Sequence, residues 1–169
     1  PFPLDPVEVA ELDFTPEQAD SAALARARER GQHLLSSRFA CTECHGEDFG
    51  GGVMVDDGMI GTILGPNITS GRGGRVASYT PADWDRIVRH GVLPDGRPAA
   101  MPSQDFERMS DQELSDLIVV IRSAPPVDAE VAPPSLGPLG TVLIATGGIQ
   151  LSADLVGDHQ GAHDALPPM

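Results

Sequence analysis

Several residue types and segments are scarce or missing in this chain of 169 residues. It has no lysine, so all 11 basic residues are arginine, and its formal net charge is -14. Such a chain is not expected to bind nucleic acid or an anionic membrane surface. No run approaches the roughly 18 apolar residues of a membrane-spanning helix. Aromatic residues make up only 4%, a fraction that fits an interior completed by a bound cofactor.

Cysteine is equally scarce, since Cys41 and Cys44 are the only two. A zinc site on these residues would need two more Cys or His ligands at matching spacing, and no third cysteine exists. A thioredoxin-like redox pair would need a βαβ context, whereas the flanks are an Arg/Ala-rich helical stretch and a Gly-rich loop. A disulfide between them is conceivable but leaves the adjacent His45 unexplained. The pattern C-T-E-C-H over 41–45 is instead typical of covalent attachment of haem c.

This spacing has a chemical reason. Residues at i and i+3 share one face of a helical turn, so both sulfurs can reach the two vinyl groups of one porphyrin. His45 then lies under the ring, where its Nε2 can bind iron as the proximal ligand. No second C-x-x-C-H occurs, so we expect one haem. Thioether attachment needs reduced cysteines at an extracytoplasmic assembly system, which predicts a periplasmic location or an equivalent one.

A haem iron with one His ligand either has a second axial ligand or stays open to small ligands. Met101 is favoured because it lies in the irregular, proline-flanked stretch 97–103, whose backbone can bring a thioether over the ring. His90 would give bis-His ligation, but it lies near a predicted helix end, where surface imidazoles are common. Met109 is expected in the core. The other candidates are Met54, Met59, His33, His159 and His163.

The predicted elements are helical. Thr15 and Pro16 begin a helix over 17–36, Thr80 caps a helix to His90 that Gly91 ends, and Ser110 with Glu113 forms a capping box. The last helix shows an apolar stripe formed by Leu114, Leu117, Ile118 and Ile121. Residues 50–74 are expected to form a long loop lining one side of the haem. The expected fold class is therefore all-α, a small helical fold around one covalent haem, with long loops and extended tails.

The tails differ from the middle of the chain in charge. Eleven of the 25 acidic residues lie in 1–20 and 126–169, where there is no basic residue, and 21–125 is almost balanced. We divide the chain into an acidic leader (1–16), a haem domain (17–126) and a Pro/Gly-rich docking tail (127–169). Within the tail, 139–151 is expected to be a docked, strand-like segment, and 154–169 has the character of a linker.

Five motifs carry a family resemblance. They are C-T-E-C-H (41–45), L-G-P-N-I-T (64–69), R-H-G-V-L-P-D-G-R (89–97), A-M-P (100–102) and M-S-D-Q-E-L (109–114). In this order they resemble class I c-type cytochromes, and more narrowly the haem modules of bacterial membrane-associated dehydrogenase cytochrome subunits. The resemblance covers about 28–126 and implies that Gly31 lies where its helix crosses the last one, near Leu117 and Ile118.

The resemblance also implies roles for individual residues. His45 would be the proximal ligand and Met101 the distal one, and the Pro66 carbonyl would accept a hydrogen bond from His45 Nδ1–H. Candidates for contact with the haem propionates or the methionine loop are Asn67, Tyr79, Trp84 and Arg97. Relatives often have Trp where Tyr79 stands.

With both axial positions filled, iron has no vacancy for substrate, so we expect a single-electron carrier and not an enzyme. Its expected partners are redox proteins, in a larger membrane-associated complex contacted through the tails. The alternative is a haem enzyme or ligand sensor with a displaceable sixth ligand. A further alternative is a structural subunit whose tails anchor an assembly.

Overall fold

The computed structural model describes residues 21–167, which form two compact units. Among these residues, one unit takes 21–39, 79–120 and 151–167, and the other takes 40–78 and 121–150. The helices are α1 (Ser21–Leu34), α2 (Cys41–His45), α3 (Pro81–His90), α4 (Asp111–Ser123), α5 (Pro138–Ala145) and α6 (Ser152–Leu155). The strands are β1 (Gly52–Asp57), β2 (Gly61–Gly65) and β3 (Ser135–Leu136).

The helix ends predicted for α3 and α4 are confirmed. Thr80 accepts a hydrogen bond from Asp83 N while the Asp83 carboxylate accepts from Thr80 N, and Pro81 occupies the first turn. At the other end Gly91 adopts a left-handed conformation, with φ 67°. In α4 the Ser110 hydroxyl accepts from Glu113 N, and the Glu113 carboxylate accepts from Ser110 N. These reciprocal bonds satisfy N–H groups that a helix start leaves unpaired.

Helix α1 packs closely on α4, as the resemblance predicted. A Cβ at Gly31 would overlap the Asp116 carbonyl oxygen and lie 2.6 Å from a methyl group of Val120. Arg30 donates two hydrogen bonds to the Asp116 carboxylate, at 2.6 and 2.7 Å, and Arg38 pairs with Glu113. A π-helical turn (Leu35–Phe39) follows α1. The predicted start of this helix, with Thr15 and Pro16, lies outside the residues that the structure describes.

The apolar stripe of α4 is buried as predicted. Its residues are no more than 9% exposed: Leu114, Leu117, Ile118 and Ile121. Val119 and Val120, which lie outside the stripe, are buried as well. Burial of this stripe supplies much of the stabilisation that a helix of 13 residues lacks in isolation.

The all-α prediction is wrong over residues 50–74, so the domain is mostly helical with a small sheet. Strands β1 and β2 form an antiparallel hairpin, with Gly52 opposite Gly65 and Asp57 opposite Gly61, and β3 pairs with β2. The Asp57 carboxylate accepts from the backbone N–H groups of residues 59 and 60, both at 2.8 Å. The runs V-M-V and T-I-L around an Asp-Gly turn are the sequence signal for this hairpin, which the surrounding glycines concealed.

The strand predicted within 139–151 is also wrong, because residues 139–145 belong to α5 and residues 146–151 form no strand. Pro138 occupies the first turn of α5, where its missing N–H costs nothing. The N–H groups of Leu139 and Gly140 donate to the Met59 carbonyl, at 2.9 and 3.2 Å. A Cβ at Gly140 would overlap the Ile60 carbonyl oxygen. Glycine, which weakens a helix in isolation, is thus what lets α5 approach the hairpin turn.

The end of the chain is irregular after α6, but it is tied down. Backbone N–H groups of Asp111 and Gln112 donate to the carbonyls of Asp164 and Ala165, at 2.9 and 3.2 Å. The last segment therefore covers the first turn of α4. Within 21–167, no helix is both long enough and apolar enough to cross a membrane.

Candidate haem-binding site

The haem motif forms a single helical turn held between glycines. Ala40, with φ 43°, precedes α2, and Gly46, with φ 80°, ends it by donating to the Thr42 carbonyl at 2.9 Å. A Cβ at Gly65 would overlap the Cys44 carbonyl oxygen, and one at Gly52 would lie 2.7 Å from the same atom. The backbones of β1 and β2 thus pack directly on the haem motif, an approach that only glycine permits.

His45 is fixed in one tautomer by its backbone contact. Its Nδ1 lies 2.9 Å from the Pro66 carbonyl oxygen, so Nδ1 carries the proton and Nε2 keeps its lone pair. Burial lowers the pKa of His45, and the bond to Pro66 only partly opposes this. A neutral ring with a free Nε2 is the form that binds a metal. The predicted contact with Pro66 is present, and the role of His45 toward iron stays a prediction.

The surroundings of the two cysteines disfavour ionisation of their thiols. Within 21–167 neither forms a disulfide. Burial raises the pKa of the Cys41 thiol to about 11, and burial together with the charge of Glu43 raises the pKa of Cys44. Redox-active C-x-x-C pairs depend on a lowered thiol pKa, so this environment disfavours the thioredoxin-like alternative.

Asn67 is fully buried and braces the polypeptide. Its Nδ2 donates to the carbonyls of Val127 and Ala129, at 2.7 and 3.1 Å. Its Oδ1 accepts from the N–H and the hydroxyl of Thr69, at 2.9 and 2.8 Å. The amide therefore holds 127–129 against the loop after β2, and a contact with haem stays a prediction.

Trp84 offers an unused hydrogen-bond donor, which fits a bound cofactor. Its ring is 4% exposed and meets Tyr79 edge to face, with 5.8 Å between ring centroids. Its Nε1–H is buried and finds no acceptor among the residues that the structure covers. Because buried indole N–H groups normally have a partner, a haem propionate is a suitable one. Arg97 is exposed instead and pairs with Asp95 at 2.7 Å.

Met101 lies in an irregular segment whose backbone is anchored. Its carbonyl accepts hydrogen bonds from Ser103 N, at 2.8 Å, and from the Ser152 hydroxyl. Ser103 also donates through its hydroxyl to the Ile87 carbonyl at 2.8 Å and begins a short 3-10 turn. The half-buried Met101 is thus presented by a fixed loop, which an axial ligand requires. Its assignment to iron stays a prediction.

The other candidate ligands take different places. Met109 is buried in the core, as expected, whereas Met59 and His33 are exposed. The expectation that His90 is a surface imidazole is wrong, because this residue is fully buried. Its two ring nitrogens lie 3.2 and 3.3 Å from those of His159 and His163. The sequence analysis missed this cluster, for which the only local signal is the H-x-x-x-H spacing of 159 and 163.

A comparison with known protein families identifies the family of this chain. The sequence model of the family described as "Cytochrome C oxidase, cbb3-type, subunit III" matches residues 26–119, which is more than half of the chain. The chain belongs to this family. It therefore contains a c-type cytochrome domain, which implies haem c, and the two cysteines required for its attachment are present.

The cytochrome is also similar to several curated bacterial proteins. It is 36% identical over 111 residues to "Alcohol dehydrogenase (quinone), cytochrome c subunit" of Gluconacetobacter polyoxogenes, over 63% of this chain and 22% of that protein. It is 29% identical over 123 residues to "Fructose dehydrogenase cytochrome subunit" of Gluconobacter japonicus, over 68% and 24%. For "Gluconate 2-dehydrogenase cytochrome c subunit" of Pantoea cypripedii the values are 32% over 105 residues, 59% and 23%. The chain thus spans less than a quarter of the length of these relatives.

Proposed function

We propose that this cytochrome carries single electrons through one covalently bound haem c, with His45 and Met101 as axial ligands. The observation that carries the proposal is the C-x-x-C-H turn in which His45 donates from Nδ1 to Pro66, leaving Nε2 for iron. Bound haem supplies a one-electron ferric/ferrous couple. Cys41 and Cys44 would hold the cofactor by adding their thiols to its two vinyl groups, and the Trp84 Nε1–H would donate to a propionate.

We further propose that the cytochrome serves a dehydrogenase assembly on the extracytoplasmic face of a bacterial membrane. This rests on the names of the three relatives, which are all cytochrome subunits of dehydrogenases. Its partners are then redox proteins of that complex. We keep the division into a leader (1–16), a haem domain (17–126) and a docking tail (127–169) as part of this proposal.

The unit that contains the haem motif supplies a surface suited to such docking. Four of its apolar side chains are between 42% and 57% exposed: Met59, Leu136, Leu139 and Val142. They lie in the hairpin turn, β3 and α5, which pack together. Apolar clusters of this kind typically mark protein interfaces, and we assign this one to the dehydrogenase partner.

The test of electron transfer uses the full haem-loaded chain. Redox titration should show one reversible one-electron transition, and the reduced protein should be rapidly oxidised by an added one-electron acceptor. Carbon monoxide should leave the ferrous spectrum unchanged, because Met101 closes the sixth position. Immediate binding of carbon monoxide to the unaltered protein would favour the alternative, a haem enzyme or ligand sensor.

A further inference from the structure

Four side chains that the haem chemistry does not use converge in the unit that contains α3. Asp85 and His90 belong to α3, and His159 and His163 come from the segment after α6. The side chains of Asp85 and His90 are each 1% exposed, and that of His163 is 15% exposed. Three imidazoles and a carboxylate rarely meet in a protein interior without a task.

The hydrogen bonds of this cluster fix the tautomer of His90. His159 Nε2 lies 3.0 Å from the Ala153 carbonyl oxygen, which can only accept, so this nitrogen carries the proton of His159. His159 Nδ1 is then an acceptor, and His90 Nδ1, at 3.2 Å, donates to it. The remaining nitrogen of a neutral His90, Nε2, therefore carries a lone pair.

The lone pair on His90 Nε2 points toward electron-rich atoms of His163 and Asp85. His90 Nε2 lies 3.3 Å from His163 Nε2 and 3.6 Å from Asp85 Oδ2, and His163 Nε2 lies 3.9 Å from Asp85 Oδ1. Asp85 Oδ2 is buried without a hydrogen-bond partner among residues 21–167. A His163 ring with its proton on Nδ1 turns a second lone pair toward that of His90, and the two repel unless a cation lies between them. Ligands about 2.0–2.1 Å from a tetrahedral zinc ion lie about 3.3–3.4 Å apart. The separation of the two imidazole nitrogens matches this spacing, and the two separations to Asp85, which involve different carboxylate oxygens, are longer.

The surrounding charges also favour a cation. Arg89 is fully buried and pairs with Asp85 and Asp111, so one positive charge faces two negative ones. The ion pair with Arg89 favours the ionised carboxylate of Asp85, which is the form that binds metals.

We propose that Asp85, His90 and His163 bind a zinc ion, which His159 stabilises by orienting His90. Two imidazoles and one carboxylate suit zinc and similar transition metals, and not magnesium or calcium. Three protein ligands leave the fourth position to water or to another group. A cavity of about 400 Å³ opens beside His163, and its charged lining consists of Glu107, Asp158 and Asp164 together with Arg108. This site is independent of the proposed electron transfer.

Zinc binding is measured on the full haem-loaded chain. The protein is treated with a chelator, dialysed against zinc, and analysed for metal per chain by mass spectrometry. We expect one zinc ion per chain and no bound magnesium under the same conditions. Zinc X-ray absorption should show only nitrogen and oxygen neighbours, at about 2.0–2.1 Å.

Single substitutions locate the site. His163→Gln removes a ligand and should weaken zinc binding by at least about 10-fold. His159→Gln removes the imidazole that orients His90 and should weaken zinc binding by roughly 10–100-fold, with one zinc ion still bound at saturation. His33→Gln is the matched control, because His33 is exposed on α1 and should leave binding unchanged. Far-ultraviolet circular dichroism and the haem spectrum report whether each variant folds.

Two outcomes would overturn the proposal. One is the absence of stoichiometric zinc from the unaltered chain, which would leave a proton as the cation shared by His90 and His163. The other is equal zinc affinity of the folded His163→Gln variant and the unaltered chain. Sulfur neighbours in the absorption spectrum would equally contradict it, because the cluster contains no sulfur ligand.

Discussion

At the scale of the residue, the partner of Nδ1 decides what each buried histidine can do. His45 donates from Nδ1 to the Pro66 carbonyl, and His90 donates from Nδ1 to His159. In both residues the proton is fixed on one nitrogen, and the other nitrogen is left with a lone pair. His33 is exposed on α1, so it lacks the buried surroundings that fix the proton on one ring nitrogen.

Substitution of Met101 tests the distal ligand. Met101→Ala should open the sixth position, so that ferrous protein binds carbon monoxide and the ferric methionine-ligation band is lost. Met101→His should lower the midpoint potential by on the order of 0.1–0.3 V, within the roughly 0.8 V range that axial ligands span. Met59→Ala is the control, because Met59 is 57% exposed. An unchanged spectrum and potential in both Met101 variants would remove this residue from the site.

Trp84→Phe tests the unused indole N–H. The ring remains to fill the core, so the fold should persist, while a propionate would lose a hydrogen bond that favours its ionised form. The propionate pKa should rise, and the pH range over which the midpoint potential varies should move upward. Potentiometry across pH gives the comparison with the unaltered protein. Superimposable pH profiles would show that Nε1 has no propionate partner.

At the scale of the element, close backbone approach decides which helices and strands can pack together. Gly31 lets α1 reach α4, Gly65 lets β2 reach the haem motif, and Gly140 lets α5 reach the hairpin turn. Each of these glycines weakens its own element in isolation. The lost stability of the element is offset by packing contacts that a Cβ would prevent. The same glycine therefore destabilises its own helix or strand and stabilises the fold.

Gly65→Ala should displace the haem motif. The added methyl group would overlap the Cys44 carbonyl oxygen, so either β2 or α2 must shift, at a cost of about 1–3 kcal/mol. We expect a lower yield of protein with attached haem and a lower melting temperature. Gly58→Ala is the matched control in the same hairpin, because nothing lies within 4 Å of a Cβ there. Equal haem yield in the two variants would contradict this packing.

Gly31→Ala tests the contact of α1 with α4. In an exposed helix this change stabilises by about 1 kcal/mol. Here the methyl group would overlap the Asp116 carbonyl oxygen, and a net destabilisation of about 1–2 kcal/mol is expected. Chemical denaturation followed by circular dichroism measures the difference, with the exposed neighbour substitution Gln32→Ala as control. A stabilised Gly31→Ala variant would show that α1 lies farther from α4.

At the scale of the whole molecule, the residues after 126 are part of the packed structure. Val127 and Ala129 are held by Asn67, and the backbone at 164 and 165 is bonded to the start of α4. Deletion of 127–169 would therefore test folding as much as docking. The acidic residues of this segment still make it distinct in charge, and surface substitutions are the sharper test of partner choice.

Val142→Glu should weaken binding to the dehydrogenase partner. The side chain is 56% exposed on α5, so a charge there should leave folding intact and oppose burial in an interface. Co-purification from the native host should fall several-fold, with an unchanged haem spectrum. Val53→Glu is the control, since Val53 is 65% exposed on β1 and lies outside the proposed surface. Equal recovery of the partner with both variants would argue against docking through α5.

The sequence by itself determined the haem motif, the cap at Thr80, the capping box of Ser110 and Glu113, the apolar stripe of α4 and the family resemblance. Each depends on residues close together in the chain, where spacing alone fixes the geometry. Only the tertiary structure decided the hairpin, the helical state of α5 and the cluster around His90. These depend on partners far apart in sequence: Gly140 on the turn at residue 60, and His90 on two histidines about 70 residues later. A local sequence pattern does not show which distant residues a side chain will contact. For this reason, glycines whose pattern predicted loops lie instead at positions of close packing.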